Sequence, residues 1–216
     1  MKYKAVLFDL DGTLLNTLDD LCDSTNAVLA RRGLQTHPSS AYRYFVGDGV
    51  EKLLRRALPD EGKDEARLQA CLEDFRTEYG AHWDVKTRPY PGIPELLDEL
   101  TSSGMKLAVL SNKPDEFTCL CISRLLPKWR FDVVLGARPG VPKKPDTAAV
   151  LEIVRMLKLR PADFIYLGDT AVDMQTANAA GMFAVGALWG FRTRKELEQN
   201  GANALVAAPQ DLLNLV

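Results

Sequence analysis

Short apolar runs recur along this chain, and helix-like stretches separate the later ones. The runs are Ala5-Val6-Leu7-Phe8, Leu107-Ala108-Val109-Leu110, Val133-Val134-Leu135, Ile165-Tyr166-Leu167 and Phe183-Ala184-Val185. Runs that are apolar at consecutive positions are typical of strands buried on both faces, and such strands alternating with helices form parallel sheets. The sequence therefore predicts an α/β fold with a doubly wound, Rossmann-like parallel sheet.

The stretch between the first and second runs has a different pattern. From about Leu18 to about Trp83 its apolar residues recur at helical spacing, and no segment has a convincing strand pattern. Pro89-Tyr90-Pro91-Gly92 then marks a rigid turn back toward the sheet. A chain of 216 residues, 46% of them hydrophobic, can carry such an insertion. We predict a core of residues 1–16 and 84–216 and an all-helical cap of residues 17–83.

Two carboxylates follow the first apolar run directly, in Asp9-Leu10-Asp11-Gly12. Residues two apart share a face of an extended chain, so Asp9 and Asp11 can converge on one site. Gly12 lets the backbone turn away after them. The pair predicts metal-assisted chemistry on an anion.

Three other polar segments are expected at the same edge of the sheet. Ser111-Asn112-Lys113 follows the second run, and Gly168-Asp169-Thr170, with Asp173 beyond, follows the fourth. Lys143-Lys144-Pro145-Asp146 precedes a predicted helix. Ligands of open parallel sheets bind beyond the carboxyl ends of the strands. We therefore expect these segments to meet around one site.

Composition argues against several other classes of protein. There are 27 Lys and Arg against 29 Asp and Glu, a net charge of −2, which gives no indication of nucleic-acid binding or of an anionic membrane as partner. The 4 cysteines lack the spacing of metal ligands. The N-terminus has no signal-peptide pattern, and no run is long enough to span a membrane. We expect a cytoplasmic monomer or homodimer.

Taken in order, the segments DLDGTL, LSNK, KKPD and GDTAVD resemble the four motifs of the haloacid dehalogenase superfamily of phosphotransferases. The resemblance implies hydrolysis of a phosphate monoester through an aspartyl-phosphate. Asp9 would attack phosphorus, and Asp11 would give a proton to the leaving group and later take one from water. Lys144, the lysine directly before the proline, would keep Asp9 ionised.

The same resemblance implies a Mg²⁺ cofactor and a binding site for the phosphoryl group. Mg²⁺ would be held by the side chains of Asp9 and Asp169 and by the backbone carbonyl of Asp11, which would leave the Asp11 carboxylate without a metal contact. Phosphate oxygens would be bound by Ser111 and Asn112 with their backbone N–H groups. Two further residues, Asp173 and Thr170, would support this site, and Asp173 would orient either Lys144 or a metal-bound water.

The helical insertion carries a second resemblance. Phe45-Val46-Gly47-Asp48-Gly49-Val50, followed by Leu53-Leu54-Arg55-Arg56-Ala57-Leu58, is similar to the cap of the phosphoglycolate phosphatases. Gly47-Asp48-Gly49 would form a loop at the start of a helix. The N–H groups of this loop could bind a small carboxylate, and an arginine could add positive charge. The substrate contacts expected in the cap are Gly47, Asp48, Gly49 and Arg56. The substrate would be a small phosphorylated metabolite, with 2-phosphoglycolate the first candidate.

Several alternatives stay open at this point. The substrate could instead be a sugar phosphate, a nucleotide or pyrophosphate. A sugar-phosphate mutase of the same superfamily typically uses a cap histidine near the first motif. Residues 18–32 contain no histidine, which disfavours a mutase. A dehalogenase of this superfamily would lack the second aspartate of the first motif, so Asp11 disfavours it. A non-enzymatic interaction module would have no reason to keep all of the candidate catalytic and metal-binding groups.

Overall fold

The computed structural model describes residues 2–59 and 64–216, which fall into two compact units. One unit comprises the chain up to Leu15 together with Pro89–Val216, and the other is Asn16–Arg88. The strands in chain order are β1 (Ala5–Phe8), β2 (Leu15–Asn16), β3 (Arg88–Pro89), β4 (Lys106–Pro114), β5 (Val133–Ala137), β6 (Phe164–Gly168), β7 (Phe183–Ala187) and β8 (Ala204–Val206). The helices are α1 (Leu18–Arg31), α2 (Ser39–Phe45), α3 (Val50–Ala57), α4 (Glu65–His82), α5 (Ile93–Ser102), α6 (Asp115–Leu125), α7 (Ala148–Leu157), α8 (Ala171–Ala180) and α9 (Arg194–Gln199).

The first unit is built on a 6-stranded sheet with the order β5-β4-β1-β6-β7-β8. Every neighbouring pair in it is parallel. From β1 the chain moves outward through β4 and β5, then crosses to the other side of β1 and continues through β6, β7 and β8. The predicted doubly wound sheet is confirmed, and its strand order reverses between β1 and β6.

Both faces of the sheet are covered, as the continuous apolar runs predicted. Ala5 and Leu7 of β1 point into a cluster that includes Val150 and Ile153 of α7. Val6 and Phe8 point the other way and are equally buried. The short edge strand β8 was not predicted, because three residues carry too little pattern to stand out.

The second unit consists of α1 to α4, packed through residues such as Leu29 and Phe75. Its end differs from the predicted boundary at residue 83, since residues 84–88 group with these helices. The reason is Asp20 of α1, whose buried carboxylate accepts hydrogen bonds from the N–H groups of Lys86 and Thr87 and from the Thr87 hydroxyl. Among the described helices, none has both the length and the apolar character needed to cross a membrane.

Candidate active site

Asp9 and Asp169 lie at the point where the strand order of the sheet reverses. Asp9 follows β1 and Asp169 follows β6, and the two ends are tied by a 2.9 Å hydrogen bond from the Asp9 N–H to the Leu167 carbonyl. Both aspartates are buried. In doubly wound sheets this crevice is where ligands bind. The motifs of Asp9 and Asp169 therefore meet at one edge of the sheet, as predicted.

Lys144 is the buried cation of the site. Its side chain is 2% exposed, and its ammonium donates to Asp9 Oδ1 at 2.8 Å, to Asp173 Oδ1 at 2.7 Å and to the Leu110 carbonyl at 3.0 Å. These three contacts use every proton of the ammonium. Lys143, by contrast, is exposed. The structure therefore places Lys144, rather than its neighbour, against Asp9.

The carboxylate of Asp169 is fixed by the chain on either side of it. Oδ1 accepts a 3.0 Å hydrogen bond from the Thr13 hydroxyl, and Oδ2 accepts one of 2.7 Å from the Phe191 N–H. The Trp189 indole N–H donates to the Thr13 carbonyl and so joins the two donor segments. At Gly12, where φ is +90°, a Cβ would lie 2.3 Å from Asp169 Oδ2. Only glycine leaves room for the carboxylate there.

Asp173 lies in the first turn of α8 and is held by Thr170. Its Oδ2 accepts from the Thr170 hydroxyl at 2.6 Å and from the Thr170 N–H at 3.1 Å, and the Thr170 hydroxyl in turn caps the helix. Its Oδ1 faces Lys144 and also accepts from the Tyr166 hydroxyl at 3.3 Å. The contact with Lys144 that was predicted for Asp173 is present.

Asp9, Asp169 and Asp173 form an acidic cluster, in which one carboxylate oxygen of each lies within 4.8 Å of the others. Burial and the charge of Asp173 raise the pKa of Asp169 to about 7. The same two causes raise the pKa of Asp9 well above the usual aspartate range, against the opposing charge of Lys144. Burial disfavours the Lys144 ammonium, but the charges of Asp173 and Asp9 outweigh it and raise the pKa of Lys144. The single ammonium of Lys144 therefore does not balance the three carboxyl groups of the acidic cluster.

The LSNK segment forms the end of β4 beside Lys144. The Ser111 hydroxyl is buried and accepts a 3.2 Å hydrogen bond from the Lys113 N–H, so its own proton is left to donate. The prediction for Asn112 was phosphate binding with its backbone N–H, and its side chain is turned to the backbone of Lys144. Its Oδ1 accepts from the Lys144 N–H at 2.9 Å and its Nδ2 donates to the Lys144 carbonyl at 3.1 Å. The amide therefore holds the lysine loop in place.

The Asp11 carboxylate, which was expected to make no metal contact, is paired with a lysine. Lys113 Nζ lies 3.0 Å from Asp11 Oδ1 and 3.3 Å from Oδ2. The lysine side chain is 4% exposed and the carboxylate 14%. An ammonium buried to this degree needs an anionic partner, and Asp11 is within reach from β1. The Asp11 carboxylate is not part of the acidic cluster.

Of the residues predicted to contact substrate in the cap, Gly47, Asp48 and Gly49 lie just before α3 and Arg56 lies in its last turn. Arg56 donates to Asp48 and, at 2.9 Å, to the Phe45 carbonyl. Asp48 also lies 3.5 Å from Lys52 Nζ. Gly47 and Gly49 both have positive φ, 125° and 90°. Arg56 thus supports the shape of this loop through bonds within its own unit.

Four residues of the site had no functional role in the sequence analysis. Lys113 was read as part of a motif but not as the partner of Asp11. Trp189 joins the site through its indole N–H, and Phe191 contributes its backbone N–H, which leaves no trace in a residue pattern. Tyr166 was counted only as an apolar strand position, although its hydroxyl reaches Asp173.

Comparison with known proteins agrees with this geometry. Residues 6–187 match the family model described as haloacid dehalogenase-like hydrolase. A phosphoglycolate phosphatase of Aquifex aeolicus is 32% identical over 99% of this chain and 96% of its own length, and one of Nitrosospira multiformis is 31% identical over 99% and 95%. A crystal structure from Lactobacillus delbrueckii subsp. bulgaricus superposes with a TM-score of 0.92 at 31% identity, covering 100% of this chain and 98% of that one. The chain therefore belongs to the haloacid dehalogenase-like hydrolase family, as its motifs predicted.

Proposed function

We propose that this chain hydrolyses small phosphate monoesters through an aspartyl-phosphate formed on Asp9, with 2-phosphoglycolate as the leading substrate. The observation that carries the proposal is the buried ammonium of Lys144, held between Asp9 and Asp173 beside Asp169. Such an arrangement holds the Asp9 carboxylate in one orientation at the place where an open parallel sheet binds ligands, and the ammonium opposes the rise in its pKa that burial causes.

The donor set fits a divalent cation such as Mg²⁺. The acidic cluster brings three carboxylates together against a single ammonium, an excess of two negative charges in a buried place. Buried charges need partners, and carboxylate oxygens are the ligands that Mg²⁺ prefers. Asp9 and Asp169 would hold the ion with the Asp11 carbonyl, and Asp173 stands close enough to support them. When bound, the cation would neutralise charge on the phosphoryl oxygens and favour the ionised form of Asp9.

In the first step a carboxylate oxygen of Asp9 attacks phosphorus as the bond from phosphorus to the leaving oxygen breaks. Asp11 gives its proton to that leaving oxygen, so the product departs as an alcohol. In the second step water attacks phosphorus, Asp11 takes the proton from the water, and the bond between Asp9 and phosphorus breaks. Lys144 holds Asp9 in one orientation throughout, and Asn112 holds the backbone of Lys144.

Binding of the phosphoryl group is assigned to Ser111 and to backbone N–H groups at the end of β4. The Ser111 hydroxyl has a proton to donate, whereas the Asn112 side chain is occupied by the Lys144 backbone. Asn112 enters this proposal only through its backbone.

The choice of 2-phosphoglycolate is supported by two relatives with that activity in their names, each matched over nearly its whole length. We propose that the helical unit, residues 17–83 in the sequence prediction, acts as the cap that selects the organic part of the substrate. Gly47, Asp48 and Gly49 would supply the selecting groups, and Arg56 would keep their loop in shape.

A substrate panel tests this function. The wild-type protein is assayed with 2-phosphoglycolate, sugar phosphates, nucleoside monophosphates and pyrophosphate, with Mg²⁺ and with EDTA. We expect turnover only with the cation and fastest on 2-phosphoglycolate. Asp9→Asn should lower kcat by more than about three orders of magnitude, as loss of a nucleophile does elsewhere. The matched control is Asp146→Asn, which changes an exposed aspartate of the KKPD motif and should leave kcat unaffected.

The outcomes separate the parts of the proposal. Full activity of Asp9→Asn, or equal turnover in EDTA, would contradict the mechanism. Faster turnover of a sugar phosphate, a nucleotide or pyrophosphate would overturn the choice of substrate and leave the mechanism standing. No turnover of any phosphate ester by the wild-type protein would overturn both.

A further inference from the structure

Lys113 is a buried lysine whose role the proposed mechanism leaves open. It lies near the end of β4, and its ammonium donates to both oxygens of the Asp11 carboxylate at 3.0 and 3.3 Å. Its side chain is only 4% exposed. Lysines are almost never buried to this degree unless they are paired, and the carboxylate they face is then held in turn. The pair thus defines the position of the Asp11 carboxylate.

The backbone of Lys113 is itself anchored on both sides. Its N–H donates to the Ser111 hydroxyl at 3.2 Å, and its carbonyl accepts from the Thr118 hydroxyl of α6, also at 3.2 Å. Ser111 and Thr118 are both buried. The ammonium therefore projects from a rigid strand end, unlike that of a surface lysine, which samples many rotamers.

Lys144 cannot substitute for Lys113. Its three ammonium protons already go to Asp9, Asp173 and the Leu110 carbonyl. The two buried lysines of the site consequently serve different carboxylates, one holding the residue that attacks phosphorus and the other holding Asp11.

We propose that Lys113 is a positioning residue that holds the Asp11 carboxyl group for proton transfer to the leaving oxygen; this inference rests on the proposed function. While Asp11 carries the proton, Lys113 keeps its hydrogen bond to one carboxyl oxygen, and the other oxygen presents the proton. As the bond from Asp9 to phosphorus forms and the bond to the leaving oxygen breaks, the proton moves to that oxygen. Asp11 is left as a carboxylate with both oxygens facing Lys113, which is the arrangement observed.

A role in proton transfer makes a prediction that a merely structural role does not. An alkyl leaving group, as in 2-phosphoglycolate, departs as an unstable alkoxide unless it is protonated. A 4-nitrophenyl group departs as a stabilised anion and needs no proton. Loss of Lys113 should therefore slow the alkyl ester far more than the aryl ester.

The experiment compares kcat, KM and kcat/KM for 2-phosphoglycolate and 4-nitrophenyl phosphate at saturating Mg²⁺. The ratio kcat/KM reports the steps up to release of the leaving group, whereas kcat also includes hydrolysis of the aspartyl-phosphate, in which Asp11 serves both esters alike. The variants are Lys113→Met, Lys113→Arg, Asp11→Asn and the double variant Lys113→Met/Asp11→Asn. General acid catalysis contributes about 10²- to 10⁴-fold, so we expect Lys113→Met to lower kcat/KM about 10- to 100-fold on the alkyl ester and less than about threefold on the aryl ester. Lys113→Arg should recover most of the loss.

The matched control is Lys106→Met, which removes an ion-paired lysine from the opposite end of β4. It should change neither substrate's kcat. In the Asp11→Asn background, adding Lys113→Met should cause no further loss, because the lysine acts through Asp11. If Lys113→Met does not fold, as judged by circular dichroism, the same comparison is made with Lys113→Gln.

Equal losses of kcat/KM on the two esters would overturn the inference, and so would a further loss in the Asp11→Asn background. A rise in KM on both substrates with kcat unchanged would also overturn it, because it would make Lys113 a phosphate-binding residue. Each of these results leaves the proposed function intact. Failure of the proposed function is seen separately, as absence of turnover in the wild-type protein.

Discussion

Asp169→Asn tests the electrostatics of the acidic cluster with little change in packing. The Asp169 carboxylate accepts hydrogen bonds from the Thr13 hydroxyl and from the Phe191 N–H. An asparagine can keep both contacts, because its oxygen accepts from the Phe191 N–H while its amide donates to the Thr13 oxygen, whose hydroxyl proton rotates away. The substitution thus removes one buried negative charge and leaves the shape of the site unchanged.

The effect on stability follows from the pKa of Asp169, which burial and the charge of Asp173 raise from 3.8 to about 7. A carboxyl group whose pKa is higher in the folded than in the unfolded state favours folding at low pH, and that contribution is lost as the pH rises through the folded-state value. About three pKa units correspond to about 4 kcal/mol of lost stability above pH 7, of which about 2–3 kcal/mol is lost between pH 5 and pH 8. The variant escapes this loss.

The assay is urea unfolding in EDTA, followed by circular dichroism, for wild type, Asp169→Asn and the exposed control Asp146→Asn. We expect Asp169→Asn to exceed wild type in the free energy of unfolding by about 4 kcal/mol at pH 8 and by about 2 kcal/mol at pH 5. Mg²⁺ at a hundred times its Kd should stabilise wild type by about 2.7 kcal/mol and should not stabilise the variant. A variant less stable than wild type at pH 8, or one with the pH dependence of wild type, would refute the reasoning.

Three further predictions concern the supports of the site. Lys144→Met should lower the free energy of unfolding by about 3–5 kcal/mol because it leaves buried carboxylates without their cation, whereas the exposed Lys143→Met should change it by less than about 0.5 kcal/mol in the same urea titration. Gly12→Ala and Gly140→Ala both place an alanine at positive φ, but their surroundings differ. At Gly12 the added Cβ would meet the Asp169 carboxylate, whereas at Gly140 it would have no neighbour within 4 Å. Calorimetry should therefore show weakened Mg²⁺ binding in Gly12→Ala alone. Asn112→Ala should cost about 1–3 kcal/mol, because a buried backbone N–H of the lysine loop loses its acceptor, and kcat should fall with it; unchanged stability would contradict the contact.

Much of the site could be predicted because its residues follow patterns local in the chain. Asp9 and Asp169 each end a continuous apolar run, and parallel strands bring such ends to one edge. Lys144 could be distinguished from Lys143 only through the family pattern. The structure adds a physical reason, since one of the two lysines is buried and the other is exposed.

What could not be predicted depends on contacts between distant segments. The pair of Asp11 and Lys113 joins residues about a hundred positions apart, so no local pattern in the chain indicates it. The contact of the Asn112 amide with the Lys144 backbone could not be predicted, because residue type does not reveal which way a side chain turns. Likewise, only the hydrogen bonds of Asp20 show that residues 84–88 belong with the helices.

The most direct test of the account is to locate the phosphoryl group on the protein during turnover. Asp11→Asn removes the group that activates water, so an aryl phosphate should still phosphorylate the variant while hydrolysis of the intermediate is slowed. Borohydride reduces an aspartyl-phosphate to homoserine, and peptide mass spectrometry then reads the position. We predict homoserine at position 9, with none in Asp9→Asn. Homoserine at any other position, or turnover with no reducible intermediate, would contradict the assignment of Asp9 as the nucleophile.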